Sequence, residues 1–105
     1  MSYYPIKLDK TRNLKYGMRA LDRIEKKLER KLSQINLDDL SMEETAVVIW
    51  AGLVHEDNKL TVERVMDLVD EYSNLTEIGE HIGHAINGAF GIKETETVDT
   101  EEKNE

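Results

Sequence analysis

Apolar residues recur along this chain with two different periods, and the change of period divides it. From Tyr3 to Tyr16 they alternate with polar ones: Tyr4, Ile6 and Leu8, then Leu14 and Tyr16. Period two, with Pro5 tolerable only at a strand start or edge, predicts a short N-terminal β-hairpin. Two strands alone are marginal in water, so helices must pack against it. Beyond Gly17, which suits a sharp turn into a helix, the spacing becomes three and four. Leu14, Met18, Leu21, Ile24, Leu28, Leu32 and Ile35 form one stripe, predicting a first helix over residues 18–32. The rhythm lapses over residues 33–40, where Leu37 and Leu40 are expected to tuck a connecting turn onto the core.

The densest apolar run follows. Ser41-Met42-Glu43-Glu44 carries a capping-box pattern, in which serine hydroxyl and glutamate carboxylate each satisfy the other's backbone N–H. It starts a second helix over residues 42–56. Met42, Ala46, Ile49, Trp50, Leu53 and Val54 share one broad face, and Val47, Val48 and Ala51 widen it until little polar surface remains. Such a helix is central, or part of it is covered by a partner. These six residues are therefore the candidate partner-binding or core surface.

Residues 55–59 form a turn in which Asp57 and Asn58 favour side-chain-to-backbone bonds. Thr61 is the expected N-cap of a third helix, burying Val62, Val65, Met66, Val69 and Tyr72. A fourth runs over residues 75–90, with Leu75, Ile78, Ile82, Ala85 or Ile86, and Ala89 or Phe90 inward, and Thr76 able to cap or cover its first turn. Gly79 and Gly83 share a face, which suits close approach of another backbone and makes them candidate helix-contact residues. The expected architecture is mainly α: one domain over residues 1–92 with about four principal helices and an N-terminal β-hairpin. Residues 93–105 hold six acids against two lysines, and Val98 alone is apolar, so a disordered acidic tail is expected.

Charge changes the picture more than composition does. Residues 1–32 carry ten Lys or Arg against four acids, so a formal total of −8 leaves the remainder strongly negative. Arg19, Arg23, Lys26, Lys27, Arg30 and Lys31 make the first helix a candidate electrostatic surface. Asp22, Glu25 and Glu29 interrupt that stripe and no aromatic side chain is interleaved, which favours a solvated, partly ion-paired face over a nucleic-acid site.

The chain has no cysteine, so disulfides and thiolate chemistry are excluded. His81 and His84, with Glu77 one turn earlier, could converge on zinc, but no HExxH pattern accompanies them and no metal is assigned. Asp57-Asn58-Lys59 lacks the glycine and glutamate of a calcium loop. His55 is expected to meet the negative end of its own helix. No phosphate-gripping loop, nucleophile elbow or paired catalytic carboxylates appear, so no enzyme activity and no cofactor are expected. The charge-free run over residues 45–55 is too short to span a bilayer, and residues 1–16 carry no signal-peptide pattern; the cytoplasm is the expected compartment.

Several stretches together resemble a known family. Leu14-Lys15-Tyr16-Gly17-Met18-Arg19-Ala20-Leu21, Ile24-Glu25-Lys26-Lys27-Leu28, residues 37–43, Ile49-Trp50-Ala51-Gly52-Leu53-Val54-His55-Glu56-Asp57, Leu60-Thr61-Val62-Glu63 and Leu68-Val69-Asp70-Glu71 are similar to the small tail assembly chaperones of long-tailed bacteriophages and related prophages of Gram-positive bacteria. The resemblance covers most of residues 3–91. It implies a protein of the host bacterial cytoplasm, absent from the mature virion, that coats the tape measure protein and helps recruit tail tube protein. Self-association and a longer frameshifted isoform are also implied. Some relatives turn near Lys31 with glycine-lysine-proline. Residues 28–32 hold no such turn former, so the first helix is expected to continue through them. The alternative is a nucleic-acid-binding or adaptor module using the basic first helix.

Overall fold

The computed structural model describes residues 3–89. Its elements run β1 (Tyr4–Lys7), β2 (Thr11–Leu14), α1 (Met18–Leu28), a 3-10 turn (Leu32–Gln34), α2 (Met42–Leu53), α3 (Val62–Tyr72) and α4 (Leu75–Ala89). This is the small, mainly helical arrangement of four helices behind an N-terminal hairpin that the periodicity predicts. The proposed tail over residues 93–105, and Phe90, lie outside the described residues.

Antiparallel β1 and β2 pair Tyr4 with Leu14 and Ile6 with Arg12. Directly opposed residues share a face. One face therefore buries Ile6, Leu8, Leu14 and, against expectation for a charge, Arg12, only 5% exposed. A buried guanidinium needs partners. Asp9 in the hairpin loop accepts from Arg12 Nε and Nη2 at 2.8 and 2.9 Å, and Asp57 in the α2–α3 turn lies 3.6 Å from Nη1. Asp57 thus serves a structural cation. Its Oδ1 also accepts from the Lys59 N–H, the local turn bond its residue type favours.

α2 is the central helix. It packs against α1, α3 and β2, and Ala46, Val47, Val48, Ile49, Ala51, Gly52 and Leu53 are buried around its circumference. The predicted capping box starts it: Glu44 N–H donates to Ser41 Oγ at 3.1 Å, and Ser41 N–H to Glu44 Oε1 at 2.9 Å. It ends at Leu53, with Val54–Glu56 forming a turn, rather than running to residue 56. Thr61 caps α3 as expected, accepting from Arg64 N–H at 3.1 Å. α4 is capped by Asn74 rather than by Thr76: Asn74 Oδ1 accepts from Glu77 N–H at 2.8 Å.

The first helix is shorter than its stripe. α1 stops at Leu28, and Glu29 adopts φ 56° in the left-handed region. Tertiary contacts supply the stop that the local sequence lacks. Glu25 carboxylate accepts from Leu32 N–H at 2.9 Å, and Arg30 pairs with Glu44 of α2. Leu32 and Ile35 are thereby folded back against the core. Met18, assigned to the stripe, is 89% exposed at the first position of α1. In α3 the inward residues are Val65, Leu68 and Val69, with Val62 and Met66 half-buried. Tyr72 is exposed because the helix ends there and Ser73 takes up an extended conformation. In α4, Ile78, Ile82 and Ile86 repeat every four residues and complete a single core cluster shared by all four helices and the hairpin. Among the described residues no helix is long and apolar enough to cross a membrane.

Candidate functional site

The six residues singled out on the second helix divide between core and surface. Ala46, Ile49 and Leu53 are buried, Leu53 completely, whereas Met42 is 60% exposed and Trp50 and Val54 are half-buried. The division follows what lies over each end of α2. Its C-terminal end is covered by the hairpin. Tyr16 lies across Gly52, and its hydroxyl donates to the Val48 carbonyl at 2.8 Å. The Lys15 N–H donates to the Gly52 carbonyl at 2.9 Å. Burial raises the Tyr16 pKa far above that of a free phenol. The N-terminal end of α2 has no such cover.

There, a groove of about 220 Å³ opens between three helices. Met42, Ala46 and Ile49 of α2 form one wall, Met66 and Val69 of α3 another, and Leu75 and Ile78 of α4 close the end. Leu75 is 55% exposed, so with Met42 it leaves apolar surface in solvent on two sides of the groove. Asp70 is the charged side chain among the lining residues. A concave apolar surface with one placed carboxylate suits binding of an apolar side chain.

Trp50 points elsewhere. Its Nε1 donates to the Leu60 carbonyl at 2.9 Å, and Lys27 Nζ sits 5.4 Å from its ring centroid. The ring forms part of a second, more polar depression of about 540 Å³ beside Glu43, Glu44 and Glu63. The proposed electrostatic surface is therefore partly engaged within the chain: Lys27 over Trp50, Lys26 with Asp22 at 3.1 Å, and Arg30 with Glu44. Arg19, Arg23 and Lys31 make no ion pair among the described residues; Arg23 is half-buried, Arg19 and Lys31 are exposed.

Gly79 and Gly83 meet open space. An added Cβ at either would find nothing within 4 Å, so no other element of the described chain approaches them. The glycine at a close approach is instead Gly52, which helical spacing alone does not single out. A glycine inside the most apolar helix was the available signal, because it forgoes helix propensity that packing must repay.

The histidines hold the hairpin. His55 Nε2 lies 2.7 Å from the Asn13 carbonyl of β2, instead of bonding the end of its own helix. Beside it, Glu56 accepts from Asn13 N–H at 3.1 Å and Asn13 Nδ2 at 2.8 Å. Burial alone would raise the Glu56 pKa, but these bonds, His55 and Arg12 bring it below its ordinary value. On α4, His81 Nδ1 lies 3.2 Å from Tyr4 Oη, and the His84 ring stacks on Tyr4. Among the described residues no group of three or more His, Cys, Asp or Glu is placed to hold a metal ion.

Fold and surface together define a small helical domain with a covered hairpin end and an open apolar groove at the other. No protein-family model, curated protein or solved structure matches the chain.

Proposed function

We propose that this chain is a tail assembly chaperone of a long-tailed bacteriophage or related prophage. In this reading it works without catalysis in the host cytoplasm, coating the tape measure protein and keeping it soluble. It then helps recruit tail tube subunits and is left out of the finished virion. The observation that carries the reading is the open groove at the N-terminal end of α2, where Met42 and Leu75 stand in solvent beside buried Ile49 and Ile78. A chaperone for a long, helical client needs a shallow apolar surface that engages repeated segments weakly, so that many copies hold by avidity and each releases easily. The resemblance of residues 14–28 and 49–71 to tail assembly chaperones supplies the client's identity.

Co-expression with the tape measure protein, followed by size-exclusion chromatography and mass analysis, tests the proposal. A multi-copy complex that releases this chain when tube protein is added is the expected result. A tape measure protein that stays insoluble beside an intact, folded partner overturns it, as does tighter binding to nucleic acid than to the client at moderate salt.

A further inference from the structure

Three helices frame the groove, and their charges are lopsided. α2 carries Glu43 and Glu44 and no base. α3 carries Glu63, Asp67, Asp70 and Glu71 against Arg64 alone, and α4 carries Glu77 and Glu80 with neither Lys nor Arg. Asp70 lies in the groove wall itself. The groove is thus apolar apart from Asp70 and is framed by helices of net negative charge, while ten of the chain's fourteen Lys and Arg lie within residues 1–32. From this charge pattern we infer that the groove selects cationic amphipathic helices: segments with apolar anchors one turn apart, flanked by Lys or Arg. This rests on the reading of the groove as the client site and names the chemistry of the segment it takes.

Size, side-chain type and charge agree. An apolar cavity of about 150 Å³ accommodates one benzene-sized group. A groove of about 220 Å³ accordingly takes one large anchor with part of a second. Met42 and Met66 contribute flexible thioethers, which re-pack around anchors of different shape and so tolerate many segments of a long client. Cations beside the anchors meet Asp70 and the net negative charge of the three framing helices. This adds orientation and association rate more than bulk affinity and repels acidic segments. Residues 93–105 of this chain, six acids against two lysines, have the wrong sign to compete.

Three fluorescein-labelled helical peptides of about 18 residues, sharing one Leu stripe and carrying Lys, Gln or Glu at the flanking positions, test the inference by anisotropy against the full chain. The expected order is Lys, then Gln, then Glu. About tenfold should separate the extremes at low salt, narrowing as salt rises. Asp70 and Leu75 are both exposed, so substitutions there leave the core intact. Leu75→Asp should weaken all three peptides, and Asp70→Lys should bring the Lys and Glu peptides within about threefold of each other. Equal affinity for Lys and Glu peptides overturns the inference. So does an Asp70→Lys variant with unchanged preference, or a Leu75→Asp variant that alters sedimentation of the protein alone while leaving peptide binding untouched, since a second copy would then be the occupant. The two proposals fail separately. Tape measure protein solubilised without charge preference overturns the inference and leaves the chaperone role standing, whereas the predicted peptide order with no effect on the tape measure protein overturns the chaperone role alone.

Discussion

Substituting Gly52 by alanine sets helix propensity directly against packing. In an exposed helix this change stabilises by about 1 kcal/mol, because glycine loses more backbone freedom on folding. At Gly52 the new Cβ would stand 2.6 Å from Tyr16 Cζ, 2.8 Å from its Oη and 3.0 Å from Leu14 Cδ2. The ring has little room to retreat. It is 2% exposed, its hydroxyl is bonded to Val48, and the adjacent Lys15 N–H is bonded to Gly52 itself. Overpacking of this kind costs about 1–3 kcal/mol, and a displaced, buried hydroxyl left without an acceptor costs about 1–3 more. After the propensity gain, Gly52→Ala should destabilise by about 1–5 kcal/mol. Gly79→Ala and Gly83→Ala provide the controls. Both sites face open space, so each substitution should stabilise by about 0.5–1 kcal/mol. Urea melts followed by far-UV circular dichroism and by Trp50 fluorescence read all three, with an unchanged denaturant slope as the check on two-state unfolding. Combining Gly52→Ala with Tyr16→Leu should recover part of the loss, a coupling of about 1 kcal/mol or more. A neutral or stabilising Gly52→Ala, or strictly additive double-variant energies, would refute the account of how the hairpin seats on α2.

Three further outcomes follow from particular contacts. Trp50→Phe removes the bond to the Leu60 carbonyl but keeps a ring for Lys27, so a loss of about 1 kcal/mol in the same melts is expected. Glu29→Gly places glycine at the left-handed position ending α1 and should raise stability by about 0.5–1 kcal/mol. Acid should loosen the hairpin: hydrogen bonds from Arg12 hold the Asp9 pKa at about 2 against an ordinary 3.8, and the Glu56 pKa also lies below its ordinary 4.5. Because both are depressed in the folded state, their contribution is complete above those ordinary values and is lost as pH falls from 4.5 towards 2. Asp9→Asn should therefore be less stable at neutral pH and show a shallower acid limb in thermal melts.

Local chemistry made much of this fold legible. Ser41 with Glu44, and Thr61 three residues before Arg64, wrote two helix starts into the sequence, and both caps form. The period-two stretch from Tyr4 to Leu14 announced the hairpin, and the apolar run from Ala46 to Leu53 announced a central helix. What the sequence hid depended on distant residues. The end of α1 needs Glu25 to capture Leu32 and Glu44 to capture Arg30, and no local residue type signals either. Burial of Arg12 draws on Asp57, forty-five positions away, beside its neighbour Asp9. The groove was half visible: Met42, Ala46 and Ile49 stood out on α2, but the walls from α3 and α4 exist only once the three helices pack.

The location of the groove follows from how the hairpin is spent. A hairpin this short can cover only part of a helix, and its contacts with α2 gather at one end: Tyr16 and Lys15 on Gly52, with Asn13 against His55 and Glu56 just beyond it. Those contacts demand glycine at position 52, and with it the helix forgoes some of its intrinsic propensity. At the opposite end of α2, α1 stops at Leu28, and the chain leaves through the 3-10 turn, with Arg30 pairing with Glu44 beside the α2 cap. Met42 is left 60% exposed there, and Met66, Val69 and Leu75 line the groove beside it. A domain selected for stability alone would place a polar residue at Met42 or Leu75, where exposure gains nothing from apolarity. Met42 and Leu75, exposed beside Asp70, are the apolar side chains on which the proposed client-binding role rests. Leu75, exposed at the start of α4, is the position where the proposed binding should be lost while the fold remains.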